Sequence, residues 1–322
     1  MDLSILIVNW KSASYLRACL ASIYRTVSGI DFEVVVVDNA SYDGCATLVE
    51  TEFPQATFVQ SENNLGFARA NNLAFQYASG DVILLLNPDT ELIDDSVTTM
   101  LAYLRSRPRV GAVGCCLLNS DLSLQVSIHP FPTIWNRLFA IGLLREKILG
   151  WRIAYAREER GAEASALPVD ILGGACIMVR RTVFETVGMF SDGFYMFGDD
   201  VDLCYKITKA GYPIHYIASR KIIHHGGAST AFREESHFSV VMQMQTMFKF
   251  FHDTRGPLYA ALYRAVMATA ALLRLLCLVC LIPFGSLLVN RDRLLAVGRR
   301  WSKVLGWAIG MERWAETTGA QG

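Results

Sequence analysis

The sequence predicts an α/β protein built around a mostly parallel sheet, and three observations carry that expectation. Short apolar runs at Leu3–Val8, Phe32–Val37 and Val82–Leu86 show no polar alternation, the pattern of strands buried on both faces. Segments with helical spacing separate these runs. Each run stops at a polar cluster, and in parallel sheets ligands gather beyond the carboxyl ends of the strands.

The elements follow in order. Leu3–Val8 ends at Asn9-Trp10, and Leu16, Cys19, Leu20, Ile23, Tyr24 and Val27 then mark one buried helical face. Phe32–Val37, with successive valines from Val34 to Val37, completes a strand–helix–strand unit and stops at Asp38-Asn39-Ala40-Ser41. Phe67, Ala70, Asn71, Ala74, Phe75 and Ala78 predict a second helix, closed by Gly80. Val82–Leu86 ends at Asn87-Pro88-Asp89-Thr90; Val97, Met100, Leu101 and Leu104 mark the next helix, and Val110–Val113 the next strand. The region 127–168, with its prolines and the charged stretch Arg157–Arg160, reads as a variable connection. Regularity returns with a strand over Val169–Arg180 interrupted at Gly173-Gly174. A short helix over Thr182–Val187, a helix over Asp200–Ala210 and a strand over Pro213–Ile217 follow.

Hydrophobic residues make up 52% of the 322 residues and charged residues 19%, enough for a large core and against disorder. Lys+Arg and Asp+Glu balance at 30 each, so no basic excess points to nucleic acid. The eight cysteines form no regular framework; they read as core thiols of a reducing compartment, and Cys277-x-x-Cys280 has no second pair to complete a zinc site. Leu3–Val8 is too short, and Asp2 too acidic, for a signal peptide, which places the catalytic portion in the cytoplasm. From Ala265 to Val289 the only charge is Arg274, a length that can span a bilayer. Pro283-Phe284-Gly285 interrupts this run, and Arg291, Arg293, Arg299, Arg300 and Lys303 follow beside Trp301 and Trp307, the composition of an interfacial helix. Span and surface attachment both remain open, as does a buried core helix. The expected division is residues 1–250 for the catalytic domain and 255–322 for a membrane-associating helical segment.

Four polar clusters are candidates for chemistry. Asp38-Asn39 can accept from a base N–H or a ribose hydroxyl, or simply form a turn. In Asn87-Pro88-Asp89, Asp89 can ligate a hard divalent cation that neutralises a diphosphate, although Asn-Pro is also turn chemistry. Asp199, Asp200 and Asp202 crowd a predicted helix start; they can complement its dipole, or repel one another enough to raise a carboxyl pKa into the range of a general base. The flanking Phe194, Tyr195, Met196 and Phe197 suit a sugar-stacking wall or a core. His224-His225 before Gly226-Gly227 offers imidazole for a metal.

Taken together, these segments resemble glycosyltransferase family 2, especially its rhamnosyltransferase-like branch from bacterial polysaccharide pathways. The matching text is Ser4 to Trp10, Val37 to Ser41, Asn63-Asn64-Leu65-Gly66-Phe67-Ala68, Asn71-Asn72, Leu86 to Thr90, Gly173-Gly174-Ala175, Asp199 to Cys204 and His224 to Ser229, within about residues 1–235. The resemblance implies a GT-A fold for nucleotide-diphospho-sugars, inversion at the anomeric carbon, and a divalent cation, Mg2+ or Mn2+. It implies Asp89 and His224 as metal ligands and Asp200 as the base, with Asp199 beside it. Asn9, Asp38, Asn39, Asn64, Gly66, Asn71 and Asn87 would contact the donor nucleotide, and Gly173, Gly174 and Asp202 the donor or acceptor sugar. The implied partners are a nucleotide diphosphate sugar, favoured as dTDP-rhamnose over a UDP-sugar, a glycan or lipid-linked acceptor, and the cytoplasmic face of the bacterial inner membrane. Two departures from the family pattern stand out: Asp199 where Glu is common, and Asn87 in place of the first Asp of Asp-x-Asp. An inactive sugar-binding scaffold at a membrane is the competing class, and intact Asp89, Asp200 and His224 argue against it.

Overall fold

The computed structural model describes residues 1–140, 166–194, 198–226, 237–281 and 291–312. Its first half is β1 (Leu3–Asn9), α1 (Ala13–Thr26), β2 (Phe32–Asp38), α2 (Cys45–Glu52), β3 (Thr57–Gln60), α3 (Gly66–Phe75), β4 (Val82–Leu86), β5 (Thr90–Leu92), α4 (Ser96–Ser106) and β6 (Ala112–Leu118). There follow β7 (Leu124–Gln125), β8 (Ile128–His129), α5 (Ile134–Ala140), β9 (Leu167–Val169), β10 (Ile171–Leu172) and β11 (Cys176–Arg180). The remainder is α6 (Arg181–Thr186), α7 (Asp199–Lys209), β12 (Ile214–His224), α8 (His237–Arg255), α9 (Pro257–Leu281) and α10 (Arg291–Ala308).

The main sheet runs β3-β2-β1-β4-β11-β6-β12-β5. β1 pairs parallel with β2 and β4, and β2 with β3; β11 is antiparallel to both β4 and β6, and β12 is parallel to β6. The carboxyl ends of β1, β2, β3, β4, β6 and β12 therefore share one edge, and β11 starts there. The chain leaves β1 toward β2 and β3 and returns to β4 on its other side. Asn9, Asp38 and Asn87 thus flank a topological switch point, where open α/β sheets bind ligands.

The Val-rich strands are buried on both faces, as their composition predicts. Leu3, Ile5, Ile7, Val34 and Val36 pack with Leu16, Leu20 and Ile23 of α1 and Met100 and Leu104 of α4. Leu6, Val8, Val35 and Val37 face the opposite layer, where Ala70 and Ala74 of α3, Phe184 of α6, Leu203 and Ile207 of α7, and the helices after residue 237 gather. β6 runs to Leu118, five residues past the expected end, and β12 runs to His224 rather than Ile217. Those extensions bring residues 119–125 and His224 to the ligand edge.

Ala260, Tyr263 and Met267 of α9 and Trp301, Val304 and Trp307 of α10 share the core of Val241, Phe250 and Phe251 of α8. The helix break at Gly256, φ +87°, falls next to the expected division, and residues on both sides of it share this core. Trp301 and Trp307, expected at a lipid interface, are 2% and 1% exposed. Arg274 lies over the Trp301 ring at 4.2 Å, and Arg264 over Trp307 at 5.2 Å while donating to the carbonyls of Trp307 and Ala308. Both charges of the apolar helix thus point inward, leaving Leu262, Leu272, Leu273, Leu276 and Val279 exposed along its outer face. Pro283-Phe284-Gly285 and Arg157–Arg160 lie outside the described residues. Cys19, Cys45, Cys115, Cys116, Cys176 and Cys204 are free and buried, in line with core thiols, whereas Cys277 is exposed.

Candidate active site

The turn after β4 is built tightly. Thr90 Oγ1 donates to the Asn87 carbonyl at 2.8 Å, and Cys19 of α1 lies against both groups. β5 then pairs antiparallel with the end of β12, with Thr90 opposite His224 and the His225 N–H donating to the Asp89 carbonyl at 2.9 Å. This register brings Asn87 and His224, 137 positions apart in the chain, into one place. Asp89 Oδ1 is 3.3 Å from His224 Nε2, and Asn87 Nδ2 is 3.3 Å from the same nitrogen.

That geometry fits a divalent cation. Adjacent ligands of an octahedral ion with bonds of ~2.1 Å lie about 3 Å apart, close to the Asp89–His224 separation. Asn87 Oδ1 is buried and has no hydrogen-bond partner among the described residues. A half-turn of the Asn87 amide would bring this oxygen beside the same nitrogen, giving a donor set of carboxylate, imidazole and amide oxygen. His225, the second imidazole of the pair, turns away to Glu91 Oε1 at 2.8 Å and Ser120 Oγ at 2.8 Å.

The acidic cluster meets this turn through two consecutive residues. The Ala175 carbonyl accepts from the Asn87 N–H at 3.0 Å, and the Gly174 N–H donates to Asp200 Oδ2 at 3.2 Å. A Cβ on Gly174 would stand 3.3 Å from the Asp200 Cβ, so close approach explains the glycine. Gly173 donates its N–H to the Ser127 carbonyl, so this residue orders the backbone. Asp199 is buried and Asp200 half-buried at the first turn of α7. Burial pushes the Asp199 carboxyl above its usual range, and the Asp200 charge adds to the effect. Burial raises Asp200 too, opposed by the Val201 and Gly174 N–H groups and by the charge of Arg137.

Asp202 is held within the fold. Its carboxylate accepts from Ser191 Oγ at 2.6 Å and pairs with Lys206 at 3.3 Å, which ties α7 to the turn before it, a structural contact the sequence did not predict. Phe194 is buried, and Tyr195, Met196 and Phe197, like Gly227, Ala228 and Ser229, lie outside the described residues.

At the β1–β2 edge, Asn9 Nδ2 donates toward Asp38, Ser41 and Asp43. Asp38 is fully buried and also accepts from Gln60 Nε2 at 2.9 Å, from the Ser41 hydroxyl and from the Ser41 and Tyr42 N–H groups. Burial works to raise the Asp38 carboxyl, but these donors outweigh it and hold it below the usual carboxylate range. These contacts fix the Asp38 carboxylate at the end of β2, on the floor of the ligand edge. Asn39 clamps the start of α3: it accepts from the Leu65 N–H at 2.8 Å and donates to Asn64 Oδ1 at 3.0 Å and to the Gly66 carbonyl. Gly66 takes φ +78°, which favours glycine. Asn71 is 1% exposed and donates to the Phe67 carbonyl one turn back, a contact within α3.

The sequence reading missed Ser41, Asp43, Gln60 and Gln125. Asp43 accepts from the Ala13 and Cys45 N–H groups at the starts of two helices. The run Asp38-x-x-Ser41-x-Asp43 was its only local signal. Gln125 reaches His224 through the β6–β7 pairing and has no local signal at all.

A mostly parallel sheet with a switch point, an Asp–His pair at its ligand edge and a part-buried acidic pair behind a Gly-Gly turn make up a fold of the GT-A type. The model for Glycosyl transferase family 2 matches residues 4–188, and the chain belongs to that family. The N-acetylglucosaminyl-diphospho-decaprenol L-rhamnosyltransferase of Mycobacterium tuberculosis is 29% identical over 255 residues, covering 74% of this chain and 80% of that protein. A low-salt glycan biosynthesis hexosyltransferase of Haloferax volcanii is 26% identical over 252 residues, covering 77% of this chain and 74% of that protein. A mannosyltransferase from Pyrobaculum calidifontis, solved with GDP-Man and Mn2+, superposes with a TM-score of 0.57 at 20% identity over 99% of this chain and 87% of that one, a likeness of fold.

Proposed function

We propose that this glycosyltransferase is an inverting, metal-dependent enzyme that moves rhamnose or another 6-deoxyhexose from a dTDP donor onto a hydroxyl of a glycan or lipid-linked acceptor. It would act in cell-surface polysaccharide assembly, at the cytoplasmic face of the inner membrane. The observation that carries the reading is the Gly174-Ala175 bridge, which joins the Asn87–Asp89 turn to Asp200. One element thereby sets the distance between the group that holds the leaving diphosphate and the group that activates the acceptor.

Asp89 and His224, with Asn87, would hold the cation. When bound, Mg2+ or Mn2+ neutralises the charge that builds on the diphosphate as the sugar–oxygen bond breaks. Asp200 takes the proton of the acceptor hydroxyl while that oxygen bonds to the anomeric carbon and the diphosphate departs from the opposite side. Its raised carboxyl suits this task, since a base works best when its pKa approaches the operating pH. Asp199 deepens the burial and the negative field around it. Asp38, Asn9, Asn39, Asn64 and Gly66 shape the nucleotide edge, and Asp202 holds α7 in place.

The exposed leucine face of α9 is proposed to rest on the membrane. The inward arginines and the packing of α9 on α8 and α10 favour an in-plane helix over a span. A lipid-linked acceptor, as named for the mycobacterial relative, fits that placement.

The rhamnose assignment rests on that relative's name, and a UDP-sugar is the second reading because thymine and uracil present the same N3–H edge. A nucleotide-sugar screen by thermal shift and turnover, with and without Mn2+, tests it. Stabilisation and transfer with dTDP-rhamnose are expected; turnover with UDP-sugars and none with dTDP-rhamnose would overturn the donor choice.

A further inference from the structure

We infer that Gln125 is a positioning residue that fixes the His224 tautomer, keeping the Nε2 lone pair directed at the cation site. The inference rests on the reading of Asp89 and His224 as cation ligands. Gln125 Oε1 lies 2.7 Å from His224 Nδ1. An amide can present either its oxygen or its nitrogen to a ring nitrogen, so the orientation has to come from its other contacts. Gln125 Nε2 lies 3.4 Å from the His224 backbone carbonyl and 3.0 Å from Asn119 Oδ1. A carbonyl only accepts, so the atom facing it must be the amide nitrogen. The same logic fixes Asn119, whose Nδ2 donates to the Leu124 carbonyl at 3.4 Å and to Ser123 Oγ at 2.9 Å, leaving its oxygen for Gln125.

The chain of orientations therefore starts from two backbone carbonyls and ends at the imidazole. Gln125 Oε1 accepts from Nδ1–H, and a neutral ring carrying its proton there offers a lone pair at Nε2, the nitrogen 3.3 Å from Asp89 Oδ1. A carboxylate oxygen and a ring lone pair facing each other at that distance repel, unless a positive charge lies between them. Residues behind a metal-binding histidine set its ring orientation in this way, and losing one typically weakens metal binding by roughly 10–100-fold. The hairpin from Asn119 to Gln125 would thus support the cation site from behind the imidazole of His224.

The test combines Mn2+ titration by electron paramagnetic resonance, without nucleotide, with 15N NMR of histidine-labelled protein, the His224 signal being assigned with His224→Ala. Wild-type His224 should carry its proton at Nδ1. Gln125→Met, which keeps length and removes the acceptor, should bind Mn2+ roughly 10–100-fold more weakly and lose the Nδ1–H preference. Gln125→Glu, which restores the acceptor at Nδ1 but sets its second oxygen against the His224 carbonyl and Asn119 Oδ1, should recover the Nδ1–H preference and part of the affinity. A wild-type ring protonated at Nε2, or Gln125→Met binding Mn2+ as tightly as wild type with its tautomer unchanged, would overturn the inference. Failure of the underlying site reading shows separately: Asp89→Ala and His224→Ala would then bind Mn2+ like wild type, while the tautomer measurement still decides the role of Gln125.

Discussion

Replacing Asp200 by Asn separates chemistry from donor binding. Asp200 accepts from the Val201 N–H at 2.8 Å and the Gly174 N–H at 3.2 Å. Asn keeps the size and one oxygen, so one of these N–H groups must face an amide NH2. A buried donor left without its acceptor costs about 1–3 kcal/mol. Removing a carboxylate that burial already disfavours offsets part of that cost, and the fold should survive. Loss of a general base lowers kcat by roughly 10²–10⁴-fold, or about 2.7–5.4 kcal/mol. Because the lost interaction belongs to the transition state, donor affinity should stay within a few-fold of wild type. The assay is single-turnover transfer at saturating donor, with donor affinity measured by calorimetry. Asp199→Asn should be milder than Asp200→Asn, because its carboxyl is the more buried of the two and acts through its neighbour. Near-normal turnover in Asp200→Asn with a dead Asp199→Asn would refute the assignment and move the base one residue back.

The same pair predicts a pH effect on stability. Carboxyls raised in the folded state contribute stability that is fully present below their usual value and is lost as pH rises through the raised one; Asp199→Asn should therefore raise Tm relative to wild type more at pH 8 than at pH 5, and an equal shift at both would contradict the burial argument. On α9, Leu272, Leu273 and Leu276 are 50%, 58% and 55% exposed. Covering the exposed half of each by lipid is worth about half of the ~1.5–3 kcal/mol of full burial, about 2.3–4.5 kcal/mol for the three, so the triple Ser variant should bind anionic vesicles roughly 40- to 2000-fold more weakly; unchanged sedimentation with vesicles would remove the proposed docking face. Deleting residues after Thr254 is a poorer test, since it strips Tyr263, Met267, Trp301 and Trp307 from the core.

Much of the parallel sheet was legible because a strand buried on both faces needs continuous apolar side chains, and Val34 to Val37 or Val82 to Leu86 leave little alternative. The ligand edge followed from where those runs stop. Asp89 and His224 were nameable as separate motifs, but their meeting depends on β5, a three-residue strand whose existence is set by its partner β12 rather than by its own sequence. Asn71 and Asp202 show the opposite limit. Their residue types suit ligand contacts, yet a helix can turn an asparagine onto its own backbone, and an aspartate one turn from a lysine finds its partner there. Trp301 and Trp307 were misplaced for a related reason: an amphipathic ring beside basic residues suits a lipid interface, but here Arg264 and Arg274 meet the rings from inside the fold.

Asp89 and His224 are proposed to hold the cation that carries the donor diphosphate. The most direct test is donor binding and transfer by Asp89→Ala beside wild type, each with Mn2+ and with excess EDTA. Wild type should lose transfer in EDTA and Asp89→Ala should lose both donor affinity and transfer even with Mn2+, while Asp200→Asn still binds donor. Full wild-type transfer in excess EDTA, or wild-type donor affinity in Asp89→Ala, would contradict this role.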